Sequence, residues 1–544
     1  MTLRSLAFVA LSLPLVGGLP RAQASPEMVK KIVEESAERG RATGYLDHLV
    51  NRIGPRLTSS DNLIAAAHWA RDEFAAMGIT NARVEEWGTF PVGFNRGPWF
   101  GKVTAPEEFA IDFNTQSWSA GTRGPAKGPI RKCPRNDEEL NALTDDQVKN
   151  TWFIDPPGRG NVREELVQRG AFGFLRGGRE LLITGGNSRV DFDALPTVPE
   201  VYIHPDSYQR IKKLLDGDQE VRIEIDVRNH FKRGPVPVHN VIAEITGTEF
   251  PDQYVIVGGH IDSWDGATGT TDNGTGVATT MEAARLLMAA GAKPRRTIRF
   301  MLWSGEEQGL LGSKAFIAQH EDELPRVSAV LVHDGGTNYV SGISGVEAMI
   351  PTLERVFAPV MALSETLSFQ VRTIRAFAPI GSDHDSYCAK GVPGFFWNQA
   401  GRANYTRTHH TQYDTFDAAV EEYQVHSSQV IAIGALGLAN EDTLLTREGF
   451  TYRGFGGRVP PTRQGPDRTL GITADEANVI TGVLGDSVAA KAGLRTGDKI
   501  VKIGTDDIKD SEEIGRALRN GPAKTEIVVL RGGERVTVSV EFAK

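Results

Sequence analysis

The chain reads as an α/β protein, a mixed and mostly parallel sheet with helices on both faces, with a small mixed β-rich insert and a small C-terminal domain. Three observations predict this. From residue 234 to about 446, apolar runs alternate with helical patterns, as strand–helix repeats do. The runs NVIAEITG, YVIVGGH, RTIRFMLW and VSAVLVHD have strand length and strand composition. Acidic residues and His fall directly after those runs, where open α/β sheets bind ligands.

The elements follow in order. Arg4, the apolar run Leu6–Val16 and Ala22-Gln23-Ala24 form a charged start, an apolar core and an A-x-A site. Residues 1–24 therefore read as a secretory signal with Ser25 as the mature start, and the protein as exported, periplasmic or extracellular. Pro14, Gly17 and Gly18 argue against an uncleaved anchor, and the segment lacks a Cys for a lipid. Residues 25–105 open with helical spacing at Met28, Ile32, Val33 and Ala37, then Tyr45, Leu46, Leu49 and Val50. SSDNLIAAAHWARDEFAAMG predicts a capped amphipathic helix ending at Gly78. Residues 106–233 change character, with short runs such as TWFID and VRIEIDV between Gly- and Pro-rich turns. Within 234–446, ATTMEAARLLMAAG predicts a helix stopped at Gly291. Residues 447–466 are rich in Gly, Pro and Arg and read as a linker, leaving 467–544 for one small domain.

With 544 residues the chain is too long for one core. A net charge of −9 argues against nucleic acid as the main partner. No run beyond the signal is long enough to span a membrane. The only two Cys, Cys133 and Cys388, exclude a disulfide scaffold and a Cys-ligated metal, and leave their own pairing open.

The chemistry is concentrated at the strand ends. YVIVGG ends at His260 and Asp262, and TDNG adds Asp272. RTIRFMLWSG ends at Glu306-Glu307, VSAVLVH at Asp334, and a loop carries His409-His410. So many carboxylates at one edge repel one another unless cations intervene. Two imidazoles with several carboxylates and no thiolate suit zinc, with manganese or cobalt as rivals. His260 and Asp262 are two apart and face one side, so Asp262 can orient the imidazole. Glu306 and Glu307 are adjacent and diverge, so one can bind metal while the other takes a proton from water.

Taken together, HIDSWD, TDNGTG, WSGEEQGLLGS, the Asp of LVHDGG, GSDHDSY and HHTQYDT resemble the M28 family of dinuclear zinc exopeptidases. HIDSWD and AKPRRTIRFMLWSGEEQG point to its carboxypeptidase Q-like branch. The resemblance covers about 234–425, and 25–105 more loosely. It implies a catalytic domain built from 25–105 and 234–446, acting on peptides or dipeptides. It implies two zinc ions held by His260, Asp272, Glu307, Asp334 and His410, with Asp272 bridging. Glu306 would be the general base, Asp262 would orient His260, and His409 would steady the oxyanion. RGAFGFLRGG and VPEVYIHPDSYQRI resemble a protease-associated insert. RTLGI, SVAAKAGLRTGDKIVKIGTDDI and EIVVLRGGERVTVSVEF resemble a PDZ domain. Such a domain would take a peptide C-terminus near Gly471 by strand addition, or would only pack or mediate assembly, a homo-oligomer included. Relatives that are single-zinc glutaminyl cyclases or metal-free receptors, and a scaffold acting through its PDZ domain, mark the alternatives.

Overall fold

The computed structural model describes residues 24–156, 161–182, 185–454, 470–474, 478–483, 487–508, 513–514, 517–518, 522 and 524–542. Residues 1–23 of the expected signal and 455–466 of the expected linker lie outside the described residues. The chain divides into two compact units, residues 1–454 and 455–544.

In the first unit, α1 (Pro26–Arg39) begins with Pro26 in its first turn and with the Ser25 hydroxyl accepting from the Met28 amide at 3.2 Å. The SSDN stretch forms α2 (Asp61–Ala76), capped by Ser60, which accepts from Leu63 N at 3.1 Å. Gly78, at φ +94°, turns the chain out of it. A long strand, β1 (Arg83–Ala105), then leads to the insert, which contains β2 (Ala126–Lys132), β3 (Trp152–Ile154), β4 (Gly173–Gly177) and β5 (Glu200–Ile203). A second long strand, β6 (Arg222–Ile245), returns antiparallel to β1 along almost its whole length.

Beyond β6 come β7 (Phe250–His260), α3 (Thr275–Ala289), β8 (Arg296–Trp303), α4 (Leu311–Gln319), β9 (Val327–Val332), α5 (Ile350–Met361), β10 (Gly394–Phe396) and α6 (Glu421–Asn440). The spatial order β10-β9-β7-β8-β6-β2-β3-β4-β5 runs unbroken from the catalytic part into the insert. The pairs β7–β8, β7–β9 and β9–β10 are parallel, whereas β6 is antiparallel to β8. The sheet is thus mixed, as the apolar runs predict. The insert shares it through β6 and β2 rather than standing apart.

Alternation along the central strands explains the two helical layers. Val255 and Val257 of β7, Ile298, Phe300 and Leu302 of β8, and Ala329 and Leu331 of β9 face a core shared with α3, α5 and α6. Ile256, Met301, Trp303, Val330 and Val332 face the opposite core, with Phe316 and Ile317 of α4. Strands buried on both faces carry no polar stripe. The insert has its own core around Trp152, Leu175, Ile203 and Ile223. Cys133 and Cys388 are free thiols, each buried in a different cluster. Residues 450–453, at the start of the expected linker, pair with Phe377 and pack Phe450 and Tyr452 on the main core.

The second unit contains β11 (Lys499–Ile503), β12 (Lys524–Arg531) and β13 (Glu534–Glu541), joined antiparallel. Ile500, Ile503, Ile527, Val529 and Val540 close its core with Leu470 and Ile480. Asp498 accepts from Arg531 at 2.7 Å and ties the end of β12 to the turn before β11. Gly471 has φ +73°, and a Cβ there would lie 2.5 Å from Ser487 Cβ. Among the described residues no helix is long and apolar enough to cross a membrane.

Candidate metal centre

The parallel strands β7, β8 and β9 end side by side, so the residues that follow them meet. His260 closes β7, Glu306-Glu307 follow β8 by three residues, and Asp334 follows β9 by two. Gly258 and Gly259 let neighbouring chains close in at this edge. A Cβ on Gly259 would lie 2.7 Å from both Asn273 Nδ2 and the His333 carbonyl oxygen. Asn273 donates to that carbonyl at 2.8 Å, which fixes the TDNG turn over the strand ends. Asp272 is thereby aimed inward from a stretch with extended, non-helical backbone (φ −133°, ψ 90°).

Two triads of ligand atoms result. His260 Nε2 lies 3.1 Å from Asp272 Oδ1 and 3.0 Å from Asp334 Oδ1. His410 Nε2 lies 3.0 Å from Asp272 Oδ2 and 2.9 Å from Glu307 Oε2. Asp272 thus gives one oxygen to each triad. His410 reaches inward from a left-handed backbone, φ +57°. His409 stacks on it with ring centroids 3.9 Å apart, its Nε2 3.7 Å from Asp272 Oδ2. The donor set itself fits divalent metal. It converges imidazole nitrogens and carboxylate oxygens at hydrogen-bond distances, with no basic side chain between them. The groups His260–Asp272–Asp334 and Asp272–His409–His410 each bring their ligand atoms within 4.8 Å of one another.

Charge is heavily perturbed here. Burial opposes ionisation of Asp272, but His260 and His410 outweigh it and hold the carboxyl well below the usual range. Burial disfavours a charged His260, yet Asp334, Glu306, Asp262 and Asp272 raise its pKa well above the ordinary value. Burial pushes the Glu306 carboxyl up; His260 opposes this, and Asp334, Glu307 and Asp383 add to it. Burial, with Asp272 adding, lifts Glu307 to about 7.

All eight candidate residues sit at this edge, and the surroundings refine two of them. The partner nearest His260 Nδ1 is the backbone oxygen of Asp262 at 3.0 Å, with the carboxylate at 3.5 Å. The Asp262 carboxylate accepts from Thr58 Oγ1 at 2.8 Å and from the amides of Glu306 and Glu307 at 3.3 Å each. It therefore pins the two glutamates as well as standing beside the imidazole. Glu307 Oε1 in turn accepts from Trp264 N at 3.2 Å.

Sequence reasoning passed over four residues at or beside the site. Arg56 is fully buried and donates to the carbonyls of Ile261, Gly54, Thr268 and Gly269 at 2.8–3.1 Å. Burial lowers its pKa to about 10 against the pull of Asp414, Asp262, Asp272 and Glu307. Asp414 accepts from the amides of Thr271 and Asp272 at 2.5 and 3.2 Å, and burial lifts it to about 7. Asp383 is fully buried and burial pushes it to about 7 as well, with Asp334 and Asp262 adding. Thr58 comes from the same N-terminal segment as Arg56. Asp383 and Asp414 lie inside GSDHDSY and HHTQYDT and were visible as motif members. Arg56, three of whose four carbonyl partners lie more than 200 residues away, and Thr58, as far from Asp262, left no local signal.

A model of peptidase family M28 matches residues 240–433, which span this edge of the sheet. Those residues carry a peptidase M28 domain. A PDZ model matches residues 479–531, within the second unit. The chain is similar to Carboxypeptidase Q of Mus musculus, 28% identical over 75% of this chain and 88% of that protein. It is likewise similar to Carboxypeptidase Q of Homo sapiens, 29% identical over 65% of this chain and 76% of that protein. A solved peptidase M28 precursor from Shewanella amazonensis SB2B shares the fold, with TM-score 0.56 and 23% identity over 77% of this chain and 98% of that one. The protein is a metallopeptidase, a hydrolase.

Proposed function

We propose that the protein is an exported zinc exopeptidase that hydrolyses terminal peptide bonds of peptides or dipeptides with two metal ions. The observation that carries this reading is the pair of ligand triads sharing Asp272, with Glu306 beside them. His260, Asp272 and Asp334 would hold one ion, and His410, Asp272 and Glu307 the other. Bound there, the metals would acidify a water and polarise the scissile carbonyl. The Carboxypeptidase Q relatives support the exopeptidase class.

The chain's own groups supply the rest. Glu306 is buried and proton-hungry, which suits a general base that takes the water proton and passes it to the leaving amine. Asp262 holds Glu306 and Glu307 in different directions through their amides. The His260 Nδ1 proton is engaged at Asp262, so Nε2 presents its lone pair. His409, half-exposed beside His410 and 3.7 Å from Asp272, would meet the oxyanion. Export rests on Arg4, the apolar run Leu6–Val16 and the Ala22-Gln23-Ala24 site. The PDZ unit would take a peptide C-terminus near Gly471.

The test has two arms. Metal analysis of the purified protein should give close to two divalent ions per chain. Free dipeptides, amino-terminally blocked peptides and aminoacyl amides, assayed with and without zinc, should show metal-dependent cleavage of terminal bonds. One ion with full activity overturns the two-metal reading, and absence of any peptide cleavage by the zinc-loaded protein overturns the exopeptidase.

A further inference from the structure

We propose that Trp264 and Asp265 are positioning residues for one ion of the metal pair, the ion assigned to Glu307 and His410. The inference rests on the two-metal reading above and separates the two ions by what holds their ligands. Both residues lie in the loop beyond β7, just after His260 and Asp262. Trp264 meets both side chains of the His410 triad. Its amide donates to Glu307 Oε1 at 3.2 Å, while Glu307 Oε2 lies 2.9 Å from His410 Nε2. One carboxylate oxygen is thus occupied by an N–H, and the other is left for metal. The indole ring stands edge-on to the His410 imidazole, with centroids 6.2 Å apart, a favourable contact that limits how the imidazole can turn.

Trp264 is itself half-buried, and the next residue supplies its anchor. Asp265 Oδ1 accepts from Arg96 Nη2 at 2.9 Å and from Ser117 Oγ at 2.5 Å. Both side chains of the Arg96–Asp265 pair are sealed from water, at 4% and 3% exposure. Separating a buried pair leaves an uncompensated charge, so the loop is held firmly in one place. Arg96 also donates to the hydroxyl and the carbonyl of Thr115, at 2.5 and 2.9 Å. Trp118 adds a buried ring edge-on to Trp264 at 6.3 Å. Residues 264 and 265 are therefore gripped by Arg96 of β1 and by the segment 115–118. The other triad is held differently. His260 Nδ1 engages Asp262, and Nε2 faces Asp272 and Asp334, which are carried by the TDNG turn and by the end of β9. A loosened grip should release one ion and keep the other.

Zinc titration of metal-free protein reads this without turnover. Each ion is isolated in turn. His260→Ala leaves the site at Glu307 and His410, and His410→Ala leaves the site at His260 and Asp334. Asp265→Asn is then added to each; it keeps the size of the side chain and removes the charge that Arg96 faces. With His260→Ala it should weaken zinc binding by roughly 10- to 100-fold, the scale of losing a partner that orients a ligand. With His410→Ala it should leave zinc affinity as it was. Ser117→Ala breaks no ion pair and should act in the same direction more mildly, which covers the case in which Asp265→Asn does not fold. Equal weakening in both backgrounds marks a general loss of structure and overturns the proposal. No weakening, or weakening confined to the His410→Ala background, overturns it as well. Hydrogen exchange of the metal-free protein gives a second readout. The Trp264 amide should lose protection in Asp265→Asn, and retained protection overturns the grip. That result decides the grip even if the wild type takes one ion, which by itself would fail only the two-metal reading.

Discussion

Glu306 and Glu307 are consecutive, yet they face different chemistry. Glu307 reaches His410 Nε2 at 2.9 Å, while Glu306 sits against His260, Asp334 and Asp383. Glu306→Gln should keep bound metal and lose kcat by roughly 10²–10⁴, the usual contribution of a positioned base. Glu307→Gln should lose metal as well as rate. Zinc content and kinetics measured side by side decide it, and the reverse pattern exchanges the two roles. The same residues predict how metal-free protein responds to pH. Burial lifts Glu307, Asp383 and Asp414 to about 7. Burial alone would lower His410, but Asp272 and Glu307 carry it to about 10. All four folded values lie above their unfolded ones, so the folded state keeps protons that the unfolded chain releases. For the acids, stability falls as pH climbs from about 4 to about 7; for His410, it is full below about 6.5 and lost as pH climbs through about 10. The depressed Asp272 has the opposite sign, but its contribution is already complete above about pH 4. Burial holds His333 and His426 at about 4, so up to about pH 6.5 their contribution rises with pH against that of the acids; the Tm of chelated protein should therefore drop between about pH 7 and pH 9, and added zinc should flatten the slope. A flat or rising Tm over that range without metal contradicts the placement of these groups. At this scale the candidate ligands were legible because each follows a strand or sits in a tight motif. Arg56 and Thr58 were not, since a buried arginine bonded to four carbonyls depends on chain brought in from far away.

The ends of β7, β8 and β9 form the platform on which these residues stand. The apolar runs announced the strands, and Gly78 and Gly291 marked the ends of α2 and α3 through their positive φ angles. The lengths of β1 and β6 were hidden. Both are interrupted by Gly and Pro, and their pairing with each other, not their composition, keeps them extended over more than twenty residues. The GG of YVIVGGH has a different use. Any side chain at residue 259 strikes Asn273 and the His333 carbonyl. Gly259→Ala should therefore cost about 1–3 kcal/mol through overpacking and displace Asp272, weakening metal retention. Denaturant unfolding together with zinc titration measures both. Unchanged stability with unchanged metal affinity would mean that the TDNG turn is not seated by this contact.

Across the whole molecule, the proposed catalytic groups all lie in the first unit, 1–454. A chain ending at residue 466 should fold, bind metal and cleave dipeptides at nearly the full rate. If the truncated protein holds metal but is inactive on dipeptides, the PDZ unit belongs to the active assembly. The small C-terminal domain was legible from the Gly-, Pro- and Arg-rich stretch before it and from its PDZ-like motifs, whereas the joining of the insert to the main sheet was not, because pairing between distant strands leaves no trace in local pattern. That joining has a developmental side. The insert hangs from the far end of the β1–β6 ribbon, between residues 105 and 222, and none of its described residues joins the core shared with α3, α5 and α6. A ribbon tip is a seam at which chain can be lengthened, shortened or exchanged while the register below it stays put. One hydrolytic platform can therefore be fitted with different walls over time, and the choice of substrate can drift while the chemistry stays constant.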